Sequence, residues 1–367
     1  MNRREFTKAG LSTLGAPLLA KSNETPAAAQ TRPTGAQGRT LFNAYYFRAH
    51  MYTCVPRHIR DDMRWMADIG TNIITLAVLE QDLFAAVENI RLVCEEAAKA
   101  GLQVYAVPSR WGGLAAGAPK APSLFSVEHP HTWMRNKDGT PVLNPQVSGV
   151  ISSVHYPETY QFFRESFDSL FKQFPIKGII WDEPKGFRED YSPKAVEALG
   201  PDAPPEAHYQ ATADFYGRVS KYVKDKYPDK TVCMFVQAHS DKLRIELAAR
   251  ISPLDYFGCD GRPWDLAEDR KWKSEAGNES GKGKVLLGSG EQIIALGKQH
   301  GKKTLMLAEN HNLPARMIPA MDAGLPKVLG LGVDQLIYYY YPVNIQQPDV
   351  NMSVVARHIK AYTKKQR

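Results

Sequence analysis

The sequence has no uncharged apolar stretch of about 18 residues or more, which is what a membrane-spanning helix requires. We therefore expect no membrane span. Cysteine is also scarce, with four in 367 residues, and no CxxC pair or Cys/His cluster with the spacing of metal ligands occurs. Cys94, Cys233 and Cys259 lie among apolar residues, so we expect buried thiols rather than disulfides. Neither a metal ion nor another cofactor is predicted.

Signatures of nucleotide and nucleic-acid binding are missing as well. No GxGxxG or P-loop follows the first apolar run, as a nucleotide-binding α/β protein would require. The net charge of +7 is modest for this length, and the basic residues are scattered. Because no recognised binding motif accompanies that charge, no nucleic-acid partner is predicted. The 43% hydrophobic and 10% aromatic content is that of a globular protein with a full core.

The first 29 residues differ from the rest of the chain. Arg3 and Arg4 precede a weakly apolar segment, and the small residues of "TPAAAQ" offer a cleavage site. This pattern resembles a twin-arginine export signal, which implies transport by that machinery in folded form and a periplasmic or secreted location. Residues 1–29 are then a signal peptide and residues 30–39 a short linker. The alternative is a disordered basic N-terminus.

The remainder of the chain alternates short apolar runs with longer amphipathic segments. The runs are rich in β-branched and aromatic residues and almost continuously apolar, as strands covered on both faces are. They span residues 40–47, 72–79, 102–108, 177–183, 231–237, 254–260, 303–309 and 335–341.

Helices are predicted between these runs. The clearest covers residues 56–69, opening on Pro56 and stopping at Gly70. Eight strands alternating with about eight helices predict an α/β fold, a single-domain (β/α)8 TIM barrel over residues 40–367. A doubly wound open sheet is the alternative. Two long loops, about 110–155 and 261–289, follow the third and sixth strands, on the face where a barrel builds its active site.

Polar residues stand at the end of nearly every run. In a barrel the carboxyl ends of all strands meet at one mouth, so these side chains are expected to share a pocket. Aromatic residues in the first long loop suit the flat faces of sugar rings. The predicted substrate-binding residues are Arg48, His50, Trp111, Asp182, His239, Asp260, Asn310 and Tyr339.

Glu183 and Glu309 end the fourth and seventh runs. Two opposed carboxylates are what cleavage of a glycosidic bond requires, one protonating the departing oxygen and the other attacking the anomeric carbon or activating water. The sequence therefore predicts a carbohydrate substrate. The oligomeric state is left open.

The stretch "IIWDEP" and the glutamate closing "KTLMLAE" resemble the clan A retaining glycoside hydrolases. In that clan strand four commonly ends Asn-Glu-Pro and strand seven ends in the nucleophile. The resemblance implies Glu183 as general acid/base and Glu309 as nucleophile. Asp182 departs from the pattern, since the clan usually has an asparagine there. An ionised Asp182 would raise the pKa of Glu183.

The sequence leaves three alternatives open. The Asn-Pro segment in "DGTPVLNPQVSG" and the long helix "YPETYQFFRESFDSLFKQF" that leads into "IIWDE" also resemble α-acting barrel glycosidases. That resemblance implies Asp182 as the nucleophile with Asp260 or Glu309 as the acid. A metal-dependent sugar isomerase or epimerase would draw ligands from Glu183, His239, Asp260 and Glu309. A carbohydrate-binding barrel without catalysis is the third. A carboxyl separation of about 5–5.5 Å indicates a retaining glycosidase and about 6.5–9.5 Å an inverting one.

Overall fold

The structure is a computed structural model, and it describes residues 39–47, 54–117, 120–144, 149–275 and 283–366. The predicted signal peptide, residues 1–29, lies outside the described residues. So do Arg48 and His50, two of the predicted substrate contacts.

Eight parallel strands close into a barrel, in which each strand pairs with its neighbours along the chain and the last pairs with the first. The predicted (β/α)8 architecture is thereby confirmed, and every predicted strand is found within about two residues of its predicted ends. The strands are β1 (Leu41–Tyr46), β2 (Ile73–Val78), β3 (Gln103–Pro108), β4 (Gly178–Asp182), β5 (Thr231–Gln237), β6 (Tyr256–Gly261), β7 (Lys303–Ala308) and β8 (Gln335–Tyr339).

Both faces of the strands are buried, which explains their continuous apolar runs. In β4, Ile180 packs into the cluster that fills the barrel interior, whereas Ile179 and Trp181 pack into the larger cluster beneath the helices. Successive side chains of a strand point to opposite faces, so each apolar residue has a core to enter.

Helices surround the barrel. The first, α1, begins at Pro56 and stops before Gly70, whose φ of 107° ends the helix in the left-handed region, as predicted. The helices are α1 (Pro56–Ile69), α2 (Val87–Lys99), α3 (Leu124–Glu128), α4 (Pro157–Gln173), α5 (Pro193–Leu199), α6 (Pro205–Lys226), α7 (Lys242–Ala249), α8 (Leu266–Glu275), α9 (Glu291–Gln299), α10 (Ile318–Gly330) and α11 (Pro348–Lys365). None of the helices within the described residues is long and apolar enough to cross a membrane.

The two long loops follow β3 and β6, as predicted. The first contains α3 and a short antiparallel ribbon, Leu143–Asn144 with Gly149–Val150. Glu80, which follows β2, anchors this loop. Its carboxylate accepts hydrogen bonds from Gly112 N (3.0 Å), Ser123 Oγ (2.6 Å) and Phe125 N (2.6 Å). The second loop contains α8. Cys94, Cys233 and Cys259 are buried free thiols, as expected.

Candidate active site

Three carboxylates converge at the mouth of the barrel around one ammonium group. Glu183 follows β4, Asp260 lies near the end of β6, and Glu309 follows β7. One oxygen from each lies within 4.8 Å of the other two. The Lys284 ammonium lies 2.6 Å from Glu183 Oε1 and 2.6 Å from Glu309 Oε1, and it also hydrogen-bonds Asp260 Oδ2. The predicted convergence of strand-end acids is thus present, with a lysine at its centre.

Lys284 was not predicted as a site residue, because the sequence "GNESGKGK" around it is typical of a turn. In the structure the segment that begins at Lys284 runs beside Arg262, the residue that follows β6. Arg262 N donates to Lys284 O (2.7 Å), and Leu286 N donates to Arg262 O (2.9 Å). This short parallel pairing fixes the backbone of Lys284 at the mouth. The apolar "VLL" that follows Lys284 was the feature of the sequence that could have indicated a buried segment next to this lysine.

Glu183 has a strained backbone that directs its side chain into the mouth. Its φ is 40°, a left-handed value that a non-glycine residue rarely adopts. Its N–H donates to Phe235 O on β5 (3.1 Å), and Pro184 fixes the onward path of the chain. Lys185 Nζ lies 2.5 Å from Glu183 Oε2, so each oxygen of this carboxylate contacts an ammonium group.

The charges of the cluster set its protonation states. Burial would raise the pKa of Glu309, but Lys284, followed by Arg262, outweighs it and lowers that pKa to about 2. Burial likewise opposes ionisation of Glu183, yet Lys284 and Lys185 hold its pKa well below the usual value. Burial and then the negative charge of Glu183 raise the pKa of Asp260 well above its usual value. The surroundings therefore favour the ionised forms of Glu309 and Glu183 and the protonated form of Asp260.

Asp182 lies beside this cluster with different partners. Its Oδ2 accepts a hydrogen bond from the Tyr45 hydroxyl (2.7 Å) across the barrel. Burial, followed by the charge of Glu183, raises the pKa of Asp182 to about 6, with the Tyr45 hydrogen bond opposing the rise. Arg110, which is 4% exposed, lies within Coulombic range of Asp182 and Glu183. Asp182 therefore titrates within the range in which many enzymes work.

Two more predicted contacts lie close to the carboxylates. Tyr339 packs its ring against Tyr45 and against His311, with ring centroids 5.2 and 4.7 Å apart. His239 is half-buried after β5, where burial and then Lys284 lower its pKa. His311 was not predicted as a site residue. Burial lowers its pKa to about 4 despite the opposing charge of Glu309, so its imidazole is neutral.

Trp111 and Asn310 are not placed as substrate contacts. Trp111 is fully buried under α4, with its ring against Phe167 and its indole N–H donating to Val78 O (2.9 Å). Asn310 is buried as well, and its amide nitrogen donates to Tyr339 O and to Asn351 Oδ1, both at 2.9 Å. Both side chains are thus engaged with the protein itself, Trp111 in the core and Asn310 in fixing β8.

The geometry suits two-carboxylate chemistry better than metal binding. One oxygen of Glu183 and one of Glu309 lie within 4.8 Å of each other, so both carboxyl groups can reach the same bond of a bound ligand. The same three acids would offer oxygen ligands to a divalent ion. Lys284, however, contacts all three of them, so an ion at their centre would meet an ammonium group. As arranged, the cluster fits an ammonium cation and not a metal.

No family model matches the chain, and no curated protein matches it. Several solved structures are similar in fold. The catalytic domain of β-amylase from Paenibacillus polymyxa is 10% identical, with a TM-score of 0.61, over 88% of this chain and 99% of that one. An α-galactosidase from Geobacillus stearothermophilus is 10% identical (TM-score 0.55) over 89% of this chain and 42% of that one. α-L-Fucosidase isoenzyme 2 from Paenibacillus thiaminolyticus is 13% identical (TM-score 0.55) over 90% and 49%. At these identities the likeness shows the barrel fold, and this chain spans less than half of the galactosidase and the fucosidase.

Proposed function

We propose that this protein is a glycoside hydrolase that retains anomeric configuration, with Glu309 as the nucleophile and the Asp260–Glu183 pair as the acid/base. The observation that carries the proposal is the ionised Glu309 carboxylate within 4.8 Å of two carboxyl groups on neighbouring barrel strands. The names of the similar solved structures, an amylase, a galactosidase and a fucosidase, support the same class of reaction.

Glu309 is suited to attack because one of its oxygens is held and the other is less engaged. Lys284 binds Oε1 at 2.6 Å, whereas the nearest cation to Oε2, Arg262 Nε, is 3.7 Å away. Arg262 also donates to the backbone oxygen of Glu309 (3.1 Å) and so fixes the residue. Oε2 of Glu309 therefore forms the bond to the anomeric carbon.

Proton donation belongs to the pair and not to Glu183 alone. Glu183 was predicted as the general acid, but the two ammonium groups on it favour its ionised form. Burial and the charge of Glu183 raise the pKa of Asp260 well above its usual value, which favours its protonated form, and one of its oxygens lies within 4.8 Å of an oxygen of Glu183. In the first step the glycosidic C–O bond breaks and the proton of Asp260 passes to the departing oxygen. In the second, water attacks the anomeric carbon, returns a proton to Asp260 and releases Glu309.

A second candidate function is that of an α-acting glycosidase in which Asp182 is the nucleophile and Asp260 is the acid. Asp182 ends β4 at the barrel mouth, and the names α-galactosidase and α-L-fucosidase of two similar structures support this order. Two features favour Glu309 instead. The pKa of Asp182 is raised to about 6, whereas that of Glu309 is lowered to about 2. The Tyr45 hydroxyl also occupies one oxygen of Asp182.

A panel of 4-nitrophenyl α- and β-glycosides tests the proposal with four proteins: the native chain, Glu309→Gln, Asp182→Asn and Glu189→Gln. Glu189 is exposed on the loop after β4 and serves as the control. We expect at least one glycoside to be cleaved by the native chain and the control, and Glu309→Gln to abolish cleavage. Loss in Asp182→Asn with full activity in Glu309→Gln would favour the second candidate. Sugar binding without any cleavage would indicate a non-catalytic barrel, and loss of activity with a chelator a metal enzyme.

We also propose that the protein is exported to the periplasm or secreted. The basis is the paired Arg3 and Arg4 ahead of a weakly apolar segment and a small-residue cleavage site. Fractionation of cells expressing the full chain tests this directly. The native protein is expected outside the cytoplasm in a shortened form, and a variant with both arginines changed to lysine is expected to stay inside.

A further inference from the structure

Arg110 is a buried cation at the barrel mouth whose guanidinium is poorly satisfied. It is 4% exposed, and neither its Nε nor its Nη1 has a hydrogen-bond partner among the described residues. These two nitrogens carry several N–H donors of a group that stays charged at any ordinary pH. A buried charge without partners destabilises a fold, so a role in stability does not account for Arg110.

The backbone around Arg110 holds it against the candidate active site. Its φ of 64° is left-handed, which is a strained conformation for arginine. Its N–H donates to Ala116 O (3.2 Å), and Ala116 N in turn donates to Asp182 O (2.7 Å). The turn that carries Arg110 is thereby joined to the end of β4, and the guanidinium lies within Coulombic range of Asp182, Tyr45 and Glu183.

The other cations that the structure describes at the mouth already have partners. Lys185 and Lys284 bind Glu183, and Arg262 donates to the backbone oxygens of Glu309 (3.1 Å) and His311 (2.5 Å). The hydrogen bond to Asp182 comes from Tyr45, not from Arg110. Burial also raises the pKa of Asp182 to about 6, so at lower pH its charge no longer offsets the arginine. Among the described residues of the mouth, Arg110 is therefore the cation that is left for a ligand.

We propose that the substrate of this glycosidase carries an anionic group, the carboxylate of a uronic acid or a sulfate ester, and that Arg110 binds it. The inference rests on the proposed glycosidase activity and adds the chemical class of the sugar. Arginine is the side chain best suited to this, because its fixed N–H donors match the oxygens of carboxylate and sulfate. A charge-assisted hydrogen bond to the ligand also supplies the partner that the buried guanidinium lacks.

Matched pairs of aryl substrates test this inference. We would compare 4-nitrophenyl glucuronides with glucosides, galacturonides with galactosides, and 6-sulfated with unsulfated glycosides, each as both anomers. We expect kcat/KM to be about tenfold or more higher for the anionic member of the pair that is cleaved. The uronide and sulfate arms identify which anion is bound. Arg110→Gln is expected to lower the ratio of kcat/KM for the anionic and neutral substrates at least about tenfold. Arg110→Lys is expected to retain part of this ratio.

Two controls keep a folding defect apart from a binding defect. Arg188→Gln changes an exposed arginine on the loop after β4 and is expected to keep the preference. The melting temperature of Arg110→Gln is expected to equal or exceed that of the native protein, because it removes an unpaired buried charge. A lower melting temperature, with equal losses on neutral and anionic substrates, would mean that Arg110 is structural and would overturn the inference.

The remaining outcomes separate this inference from the proposed activity. Cleavage of neutral glycosides without any preference for the anionic partners would overturn the inference and leave the hydrolase standing. If no substrate is cleaved, the proposed activity fails, and ligand-observed NMR with D-glucuronate, D-glucose 6-sulfate and D-glucose decides the inference. Binding of an anionic sugar that Arg110→Gln abolishes would support it. Equal binding of all three sugars, or of none, would overturn it.

Discussion

The Lys284 ammonium lies 2.6 Å from Oε1 of Glu309, and this contact sets the charge of the proposed nucleophile. Since burial alone would favour the protonated acid, the lysine is what lowers the pKa of Glu309 to about 2, with Arg262 assisting. A lysine from a loop and a glutamate from the end of β7 thus act as one unit.

Replacing the nucleophile should stop the reaction. We expect Glu309→Gln to lower kcat/KM by about 10³-fold or more, because the neutral amide cannot form the covalent intermediate. The measurement is the initial rate of aryl glycoside hydrolysis, with Glu189→Gln as the matched control on an exposed residue. A loss of less than tenfold would show that another group attacks.

Removing the lysine should move the acidic limb of the pH profile. Glu309 must be ionised to attack, so activity is lost as the pH falls through its pKa. In Lys284→Met that pKa should rise from about 2 toward or beyond its usual 4.5, since burial is then less opposed. The acidic limb of kcat/KM should therefore shift upward by about two pH units or more.

The control for this shift is Lys194→Met, which removes an exposed lysine paired with Glu197. Its pH profile should match that of the native protein. An acidic limb that does not move in Lys284→Met would show that this lysine does not govern the ionisation of Glu309.

The identity of the proton donor should appear in the dependence on the leaving group. Asp260 has a raised pKa and so holds its proton until the pH passes that value, which places it on the basic limb of the profile. Asp260→Asn should lower kcat/KM by about 10²-fold or more for poor leaving groups and much less for 2,4-dinitrophenyl glycosides. A uniform loss across leaving groups would argue against Asp260 as the donor, and the same comparison on Glu183→Gln would then test that residue.

Trp111 should matter for stability and not for substrate binding. Its indole is fully buried and hydrogen-bonds Val78 O at 2.9 Å. Trp111→Phe should therefore lower the free energy of unfolding by about 1–3 kcal/mol, from the lost hydrogen bond and packing, while KM changes little. Denaturant unfolding and steady-state kinetics measure the two effects. A large rise in KM with unchanged stability would restore the predicted role in substrate binding.

The barrel was predictable because parallel strands that are buried on both faces have nearly continuous apolar sequences. Runs such as "GIIWD" are apolar at both inward and outward positions, and each ends in polar residues at the common mouth. This topology brings together the strand ends that carry Glu183, Asp260 and Glu309.

Other parts of the site could not be derived in this way. Lys284 lies in a glycine-rich loop, and no periodicity shows how far such a residue reaches. Its contacts then reverse the expectation for Glu183, whose proton is disfavoured by two ammonium groups. Trp111 follows β3 directly, but a short turn beginning at Arg110 directs it beneath α4, and only tertiary packing determines that direction.

The configuration of the first sugar released tests directly whether Glu309 is the nucleophile. Proton NMR would follow the hydrolysis of an aryl glycoside that the protein cleaves, with the anomeric signal read before mutarotation. We expect a product with the same anomeric configuration as the substrate, because Glu309 attacks and water then displaces it from the opposite side. A first product of inverted configuration would contradict the assignment of Glu309 as nucleophile.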